Sequence, residues 1–217
     1  MGSRLFDLIV ATVGLAAASP VLLAAAAAIW LADGSPVIHR ATRVGRGGKI
    51  FTMYKLRTMY VGAHKASRIT APADARCFAF GSMLRRLKID ELPQLVNILK
   101  GDMALVGPRP EDPKIVADHY TASQRETLNI PPGLLSPGSI FDYTHGSAFL
   151  RSDSTEEDYV QKLLPVILAL DAVYLRKASL GYNIRLVART AWAIAGKALG
   201  RERFPDPPEM NEALGLM

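Results

Sequence analysis

The chain opens on an apolar run: from Leu8 to Ala32 there is no charged side chain. That run exceeds the ~18 apolar residues expected of a membrane helix, and as one helix it would be roughly 37 Å long. Ser19-Pro20 falls near its middle. Pro20 has no N–H for the carbonyl of Ala16 and its ring crowds the preceding turn, whereas the Ser19 hydroxyl can bond a carbonyl of that turn. The pattern then changes to β-leaning stretches, Pro36 to Arg40 and Ile50 to Leu56, on either side of Gly45-Arg46-Gly47-Gly48. This predicts a small hairpin with a glycine-rich turn. Val61 to Arg76 has no clear period and reads as a loop, and Phe78 to Leu87 reads as a short helix with a basic face.

Leu92, Leu95, Val96 and Leu99 share one helical face, and Gly101 supplies the stop. Met103 to Val106 is a short apolar run ended by Gly107-Pro108-Arg109-Pro110. A helix is expected over Pro113 to Asn129, then a break at Pro131-Pro132-Gly133 and a loop from Gly133 to Ser154. Glu156 to Leu175 has a helical pattern interrupted by Pro165. In the segment from Ile184 to Leu199, Ile184, Val187, Ala191 and Ile194 face one way, which suits a membrane interface or a protein core. The proline-rich tail after Phe204 reads as disordered. The elements add up to a mainly α chain with a small β-hairpin, an α+β fold.

Composition sharpens this picture in two places. Twenty-six basic against twenty acidic residues leave a net charge of +6, which suits nucleotide phosphates, nucleic acid or an acidic lipid surface. Few aromatics and no concentrated basic helix argue against nucleic acid. Charge also bears on the apolar run, with Arg4 on one flank and Arg40, Arg43, Arg46 and Lys49 on the other. Basic residues favour the cytoplasmic side, so basic flanks at both ends disfavour crossing. A cleaved signal peptide, an ordinary spanning helix and a re-entrant segment all remain open on these residues. The lone cysteine, Cys77, excludes an internal disulfide framework and a Cys-rich zinc site.

The densest chemistry lies in Arg85-Arg86-Leu87-Lys88-Ile89-Asp90-Glu91-Leu92-Pro93. Asp90 suits a helix N-cap, and Pro93 suits a first turn. A carboxylate there beside basic residues would also be held ionised and could act as nucleophile or magnesium ligand. Gly107-Pro108-Arg109-Pro110 puts a guanidinium on a stiff turn, where a bidentate grip on phosphate loses little entropy. Lys55 and Arg57 alternate onto one strand face, suited to phosphate or to solvent. His39, His64, His119 and His145 show no metal-ligand spacing, and no phosphate-binding glycine motif or serine-nucleophile elbow is present.

An ordered set of segments resembles the small monotopic phosphoglycosyl transferases, the bacterial sugar transferase family. It comprises Arg4-Leu5-Phe6-Asp7, Ser19-Pro20, Phe51 to Met59, Ile89 to Asn97, Lys100-Gly101-Asp102-Met103, Val106 to Pro110 and Pro132-Gly133. The resemblance implies a re-entrant membrane helix over 1–35 broken at Ser19-Pro20, with interfacial amphipathic helices. A catalytic domain over 36–200 would pack on it at the cytoplasmic face of the bacterial inner membrane, and 201–217 would be a disordered tail. It further implies transfer of a sugar-1-phosphate from a UDP-sugar to a polyprenol phosphate such as undecaprenyl phosphate, with release of UMP. In that scheme Asp90 is nucleophile and Mg2+ ligand, and Glu91 assists. Arg85, Arg109, Lys55 and Arg57, with Pro108 and Pro110, form the phosphate site. Membrane lipid is an implied partner, nucleic acid is not, and a homodimer is compatible with the scheme. The rival reading is an inactive membrane-anchored phosphate- or lipid-binding homologue. One departure stands out: the Gly-Arg pair expected after Pro132-Gly133 is missing, leaving His145 and Arg151 as candidates to replace it.

Overall fold

The computed structural model describes residues 2–62, 74–150 and 155–217, with the side chains of Gly2 and Ser3 left aside. His64 and Arg151 lie outside the described residues. Helix α1 (Gly2–Asp33) runs without interruption and carries Pro20 inside it. Helical backbone continues through Ser19-Pro20, where the sequence suggested a break, and the compensation for the proline is local. Ser19 Oγ donates at 2.8 Å to the carbonyl of Ala16, the acceptor that Pro20 leaves without its amide. Much of α1 stands clear of the protein: Leu23 is 72% and Leu31 78% exposed. Arg4–Asp33 is long and apolar enough to cross a membrane.

Both ends of α1 nevertheless rest on the same domain. Near the start, Arg4 donates to the carbonyls of Ile98 (2.7 Å) and Leu99 (3.2 Å), and Ala11 is fully buried. Near the end, Ala25 and Ile29 pack with Leu56, Phe78 and Leu84. The Arg57 guanidinium pairs with the Asp33 carboxylate and also reaches the carbonyls of Asp33 (2.9 Å) and Gly34 (2.7 Å).

The hairpin forms as the sequence predicts, from antiparallel β1 (Ile38–Val44) and β2 (Ile50–Leu56) with His39 opposite Lys55. Next come α2 (Ala79–Arg86), a 3₁₀ turn over Ile89–Glu91, and α3 (Gln94–Lys100), which ends on Gly101 at φ 90°. Fully buried Asn97 ties α3 to the hairpin: it accepts from the Tyr54 amide (3.0 Å) and donates to the Thr52 carbonyl (2.7 Å) and to Asp102 (3.1 Å). The apolar run after it becomes β3 (Ala104–Val106), parallel to β4 (Gly133–Leu135). The two strands continue into Gly107 and Gly133, whose backbones touch. A Cβ on Gly107 would sit 2.6 Å from the Pro131 oxygen, and one on Gly133 would sit 2.1 Å from the Gly107 nitrogen. No side chain fits between them.

The helix expected over Pro113 to Asn129 is split into α4 (Pro113–His119) and a 3₁₀ turn over Gln124–Asn129. Thr121 and Gln124 cause the split by bonding each other's backbone amides, at 2.9 and 3.3 Å, in place of helical partners. The loop expected from Gly133 to Ser154 also needs correction, because it contains α5 (Pro137–His145). Ser136 caps this helix by accepting from the Ser139 amide, and Pro137 occupies its first position. After α6 (Thr155–Asp158) and one π turn, Tyr159–Leu163, comes α7 (Leu164–Lys177), which forms the centre of the core. Pro165 lies just after the π turn within one continuous helical run from Thr155 to Lys177, so its missing amide falls where the regular helical hydrogen bonding is already interrupted.

In α8 (Leu180–Ala198) the buried residues are Tyr182, Asn183, Leu186 and Ala193, whereas Ile184 and Trp192 are about half exposed. Ile184 and Ala191, expected to share one face with Val187 and Ile194, point outward. The tail from 201 to 217, expected to be disordered, folds back as α9 (Met210–Leu214). Its anchor is buried Glu209, which accepts from Tyr182 (2.5 Å) and Arg189 (2.6 Å), and Ala213 is fully covered. The proline content suggested disorder, but one buried carboxylate fixes the segment.

Candidate active site

The site begins at a backbone irregularity. Lys88 has φ 57°, in the left-handed region that non-glycine residues rarely adopt, and this ends α2. The 3₁₀ turn then carries Asp90 inward to 5% exposure. Asp90 does not cap α3, which begins after Pro93 with no side-chain cap. Its Oδ1 is buried without any hydrogen-bond partner. Such a group costs roughly 1–3 kcal/mol or more if left unsatisfied, so it marks either a ligand position or a reserve of strain.

Glu91 sits between two ammonium groups, Lys55 Nζ at 3.0 Å and Lys88 Nζ at 3.1 Å. Burial alone would raise its carboxyl pKa, but Lys55, Lys88 and Arg109 outweigh burial and hold it well below the usual range. Asp90 is pushed the other way, first by burial and then by the Glu91 charge, against Lys55, Lys88 and Arg85. One carboxylate of the pair is therefore spent on cations and the other is kept basic. Arg85 is held by its Nε, which donates to Thr58 Oγ1 at 2.7 Å.

Arg109 arrives from the turn that Gly107 and Gly133 lock together. Its amide donates to Asp171 Oδ2 (2.8 Å), while the Gly138 amide donates to Asp171 Oδ1 (3.0 Å). A single carboxylate with 1% exposure thus joins the Arg109 turn to the start of α5. Burial pushes Asp171 up to about 6, against those two amides and the Ser136 hydroxyl. The Arg109 guanidinium lies 3.3 Å from Asp142 on α5. Burial opposes its charge, but Asp142, Tyr159, Glu111 and Glu91 outweigh burial and keep it cationic.

Arg109, Lys55 and Glu91 line one polar cleft, together with Arg43, Gln94, Pro110 and Ser139. Pro108 instead has a backbone role, its carbonyl accepting from the Gly133 amide at 2.8 Å. Arg57 does not join the cleft, since its guanidinium is committed to the end of α1. Alternation placed it on the Lys55 face, but alternation names no partner. His145 does not replace the missing arginine either. It stacks on Phe141 and faces the tail, 3.2 Å from the Phe204 carbonyl. Sequence reasoning missed Arg43, Gln94, Ser139, Asp142 and Asp171. Gln94 stood within the Ile89–Asn97 segment, so it alone had a sequence signal.

The donor set fits a magnesium ion. Among the described residues no cluster of three acidic or His/Cys ligands exists. Mg2+ does not need one, because it commonly takes one or two carboxylates and completes its shell with water and substrate phosphates. The unpartnered Asp90 Oδ1 beside Glu91 is such a start.

The chain is similar over most of its length to known proteins. It is 35% identical over 191 residues to a UDP-glucose:undecaprenyl-phosphate glucose-1-phosphate transferase of Caulobacter vibrioides, covering 86% of this chain and 67% of that protein. It is 31% identical over 205 residues to an enzyme of the same name from Xanthomonas campestris, covering 91% of this chain and 39% of that one. A sugar transferase of Bacillus subtilis, EpsL, is 41% identical over 134 residues, covering 60% and 64%. The chain therefore spans under two thirds of several curated relatives. The model of the bacterial sugar transferases matches residues 1–197. With the ordered motifs gathered around Asp90, Glu91 and Arg109, the chain belongs to the bacterial sugar transferase family.

Proposed function

We propose that this protein transfers a sugar-1-phosphate from a UDP-sugar to a polyprenol phosphate by double displacement at phosphorus. The observation that carries the reading is the buried, unpartnered Asp90 oxygen beside a cleft of fixed cations. In the first step an Asp90 oxygen bonds the β-phosphorus as the bond to the bridging oxygen breaks, and UMP leaves with the electron pair. In the second a polyprenol phosphate oxygen bonds the same phosphorus, the Asp90–phosphorus bond breaks, and the carboxylate is restored. Both are in-line displacements whose barrier is lowered mainly by positioning and charge.

Arg109 and Arg43 grip the diphosphate, and Lys55 and Lys88 hold Glu91 ionised so that its charge keeps Asp90 basic. Asp90, with Glu91, would hold Mg2+, which when bound lends positive charge to the phosphate oxygens. The relatives' names indicate the UDP-sugar and undecaprenyl phosphate as substrate classes.

The same reading places the domain at the cytoplasmic face of the inner membrane, with α1 entering and leaving on one side. Support comes from the two ends of α1. A straight helix from residue 4 to residue 33 is roughly 44 Å long, against a hydrocarbon core of ~30 Å. A helix spanning that core could not rest both ends on one domain on one side of it.

UMP release from a panel of UDP-sugars, with undecaprenyl phosphate present, tests the activity. Release that vanishes in Asp90→Asn supports the reading. No release from any UDP-sugar by wild-type protein that binds lipid would return the chain to an inactive lipid-binding homologue.

A further inference from the structure

A second cleft, open at the surface, meets the polar one. Its walls are Leu92, Leu135 on β4, Ile140 and Tyr143 on α5, and Ala193 and Ile194 on α8. Where the polar cleft is charged, this groove is apolar, with Lys88 at its edge. The two share Glu91, Leu134 and Ser139, so they join at Glu91, the residue next to Asp90. The far wall belongs to α8, which also carries the exposed Leu180, Ile184 and Trp192. An apolar groove walled by a helix that exposes apolar side chains suits the edge of a lipid surface.

We propose that this groove between α5, β4 and α8 holds the first isoprene units of the acceptor lipid phosphate, while the polar cleft takes the phosphates of both substrates in turn. The inference rests on the double displacement proposed above. In-line attack by Asp90 expels UMP from the opposite side of the phosphorus. The acceptor's phosphate must enter along the same line to expel Asp90, so it occupies the place UMP vacated. Its hydrocarbon cannot follow the path of the nucleotide through charged Arg43 and Arg109. It needs an apolar route leaving that point, and the groove that begins at Glu91, Leu134 and Ser139 is one. Lys88 at the edge matches the anionic head, and the wall residues match the chain.

Photolabelling of the wild-type protein in detergent tests this, using farnesyl phosphate with a diazirine on its first isoprene unit. Label on α5 or on residues 190–194 of α8, competed by undecaprenyl phosphate, is the expected result. Label confined to α1 or to the outer face of α8 would overturn the proposal. A kinetic arm uses Ile194→Trp, which narrows the groove. The KM for undecaprenyl phosphate should rise at least tenfold, while the burst of UMP without acceptor stays within about twofold. An intact burst with an unchanged lipid KM would overturn the proposal too. If the wild type shows no burst while the label still maps to the groove, the lipid site survives and the transferase reading fails.

Discussion

Replacing Asp171 by asparagine tests how the Arg109 turn is held. Both carboxylate oxygens accept backbone amides, from Arg109 at 2.8 Å and from Gly138 at 3.0 Å. Asparagine has one acceptor oxygen, so its amide group would face one of those N–H groups, donor against donor. Losing a hydrogen bond to a charged group costs ~1.5–3 kcal/mol, and each buried unsatisfied donor adds ~1–3. Against this stands relief of the buried charge. Burial lifts the Asp171 carboxyl from 3.8 to about 6, so the folded protein binds the proton more tightly than the unfolded chain. Wild-type stability from this group is therefore full below pH 4 and falls by on the order of 3 kcal/mol as pH rises through 6. Asparagine has no such loss, so the variant's deficit should be largest near pH 4 and smaller at pH 8. A deficit of roughly 4 kcal/mol at pH 4 corresponds to a drop in Tm of about 8–16 °C for a chain of this size. Differential scanning calorimetry in detergent at both pH values reads it, and UMP release should fall as Arg109 loses its position. Equal melting temperatures at both pH values with unchanged turnover would refute the bridge. A deficit that widened with pH would refute the sign.

Asp90→Asn should abolish UMP release while leaving the melting temperature within a few degrees, since Asp90 makes no cap and its Oδ1 has no partner; wild-type turnover in the purified variant would remove it as nucleophile. Arg109→Lys should cut kcat/KM for the UDP-sugar at least tenfold, because a point charge cannot reproduce a bidentate grip, and unchanged efficiency would leave Arg109 as a turn residue. Gly107→Ala must open the contact with Pro131 and Gly133, costing about 1–3 kcal/mol and lowering Tm; an unshifted Tm would mean the strands part freely. Ser3→Cys in a Cys77→Ser background should resist an impermeant thiol reagent in intact cells, and labelling there would mean that α1 crosses the membrane.

What the sequence made legible was local. The hairpin, the Gly101 stop and the stiff Arg109 turn follow from residues within a few positions of one another, where turn chemistry and periodicity act directly. The misassigned residues share a different cause, which is partners far along the chain. Asp171 meets the Arg109 amide across 62 residues, and Arg43 meets Asp112 across 69. Arg57 has a partner at Asp33 that strand alternation could not reveal. Asp90 was read as a cap because the helix was placed to begin beside it. The left-handed Lys88 and the 3₁₀ turn use up those residues, so α3 starts later and the carboxylate turns inward. Glycine and serine in the α5 segment suggested a loop, although Ser136-Pro137 is itself a helix start.

The two anchored ends of α1 also bear on how the protein is made. Residues 2–33 leave the ribosome before residues 57, 98 and 99, to which their ends attach. On the membrane placement proposed above, entry would be driven by hydropathy alone, with neither the Arg4 nor the Asp33 contact yet available. Those contacts form only as the hairpin and α3 fold, and they fix how deep the helix sits and which way it is turned about its axis. Substitutions at Arg57 should therefore leave the amount of membrane-inserted chain unchanged while scattering the depth of the domain beneath the bilayer. On that proposed placement, assembly in this order has two stages, in which the lipid places the helix first and the folded domain then takes hold of it.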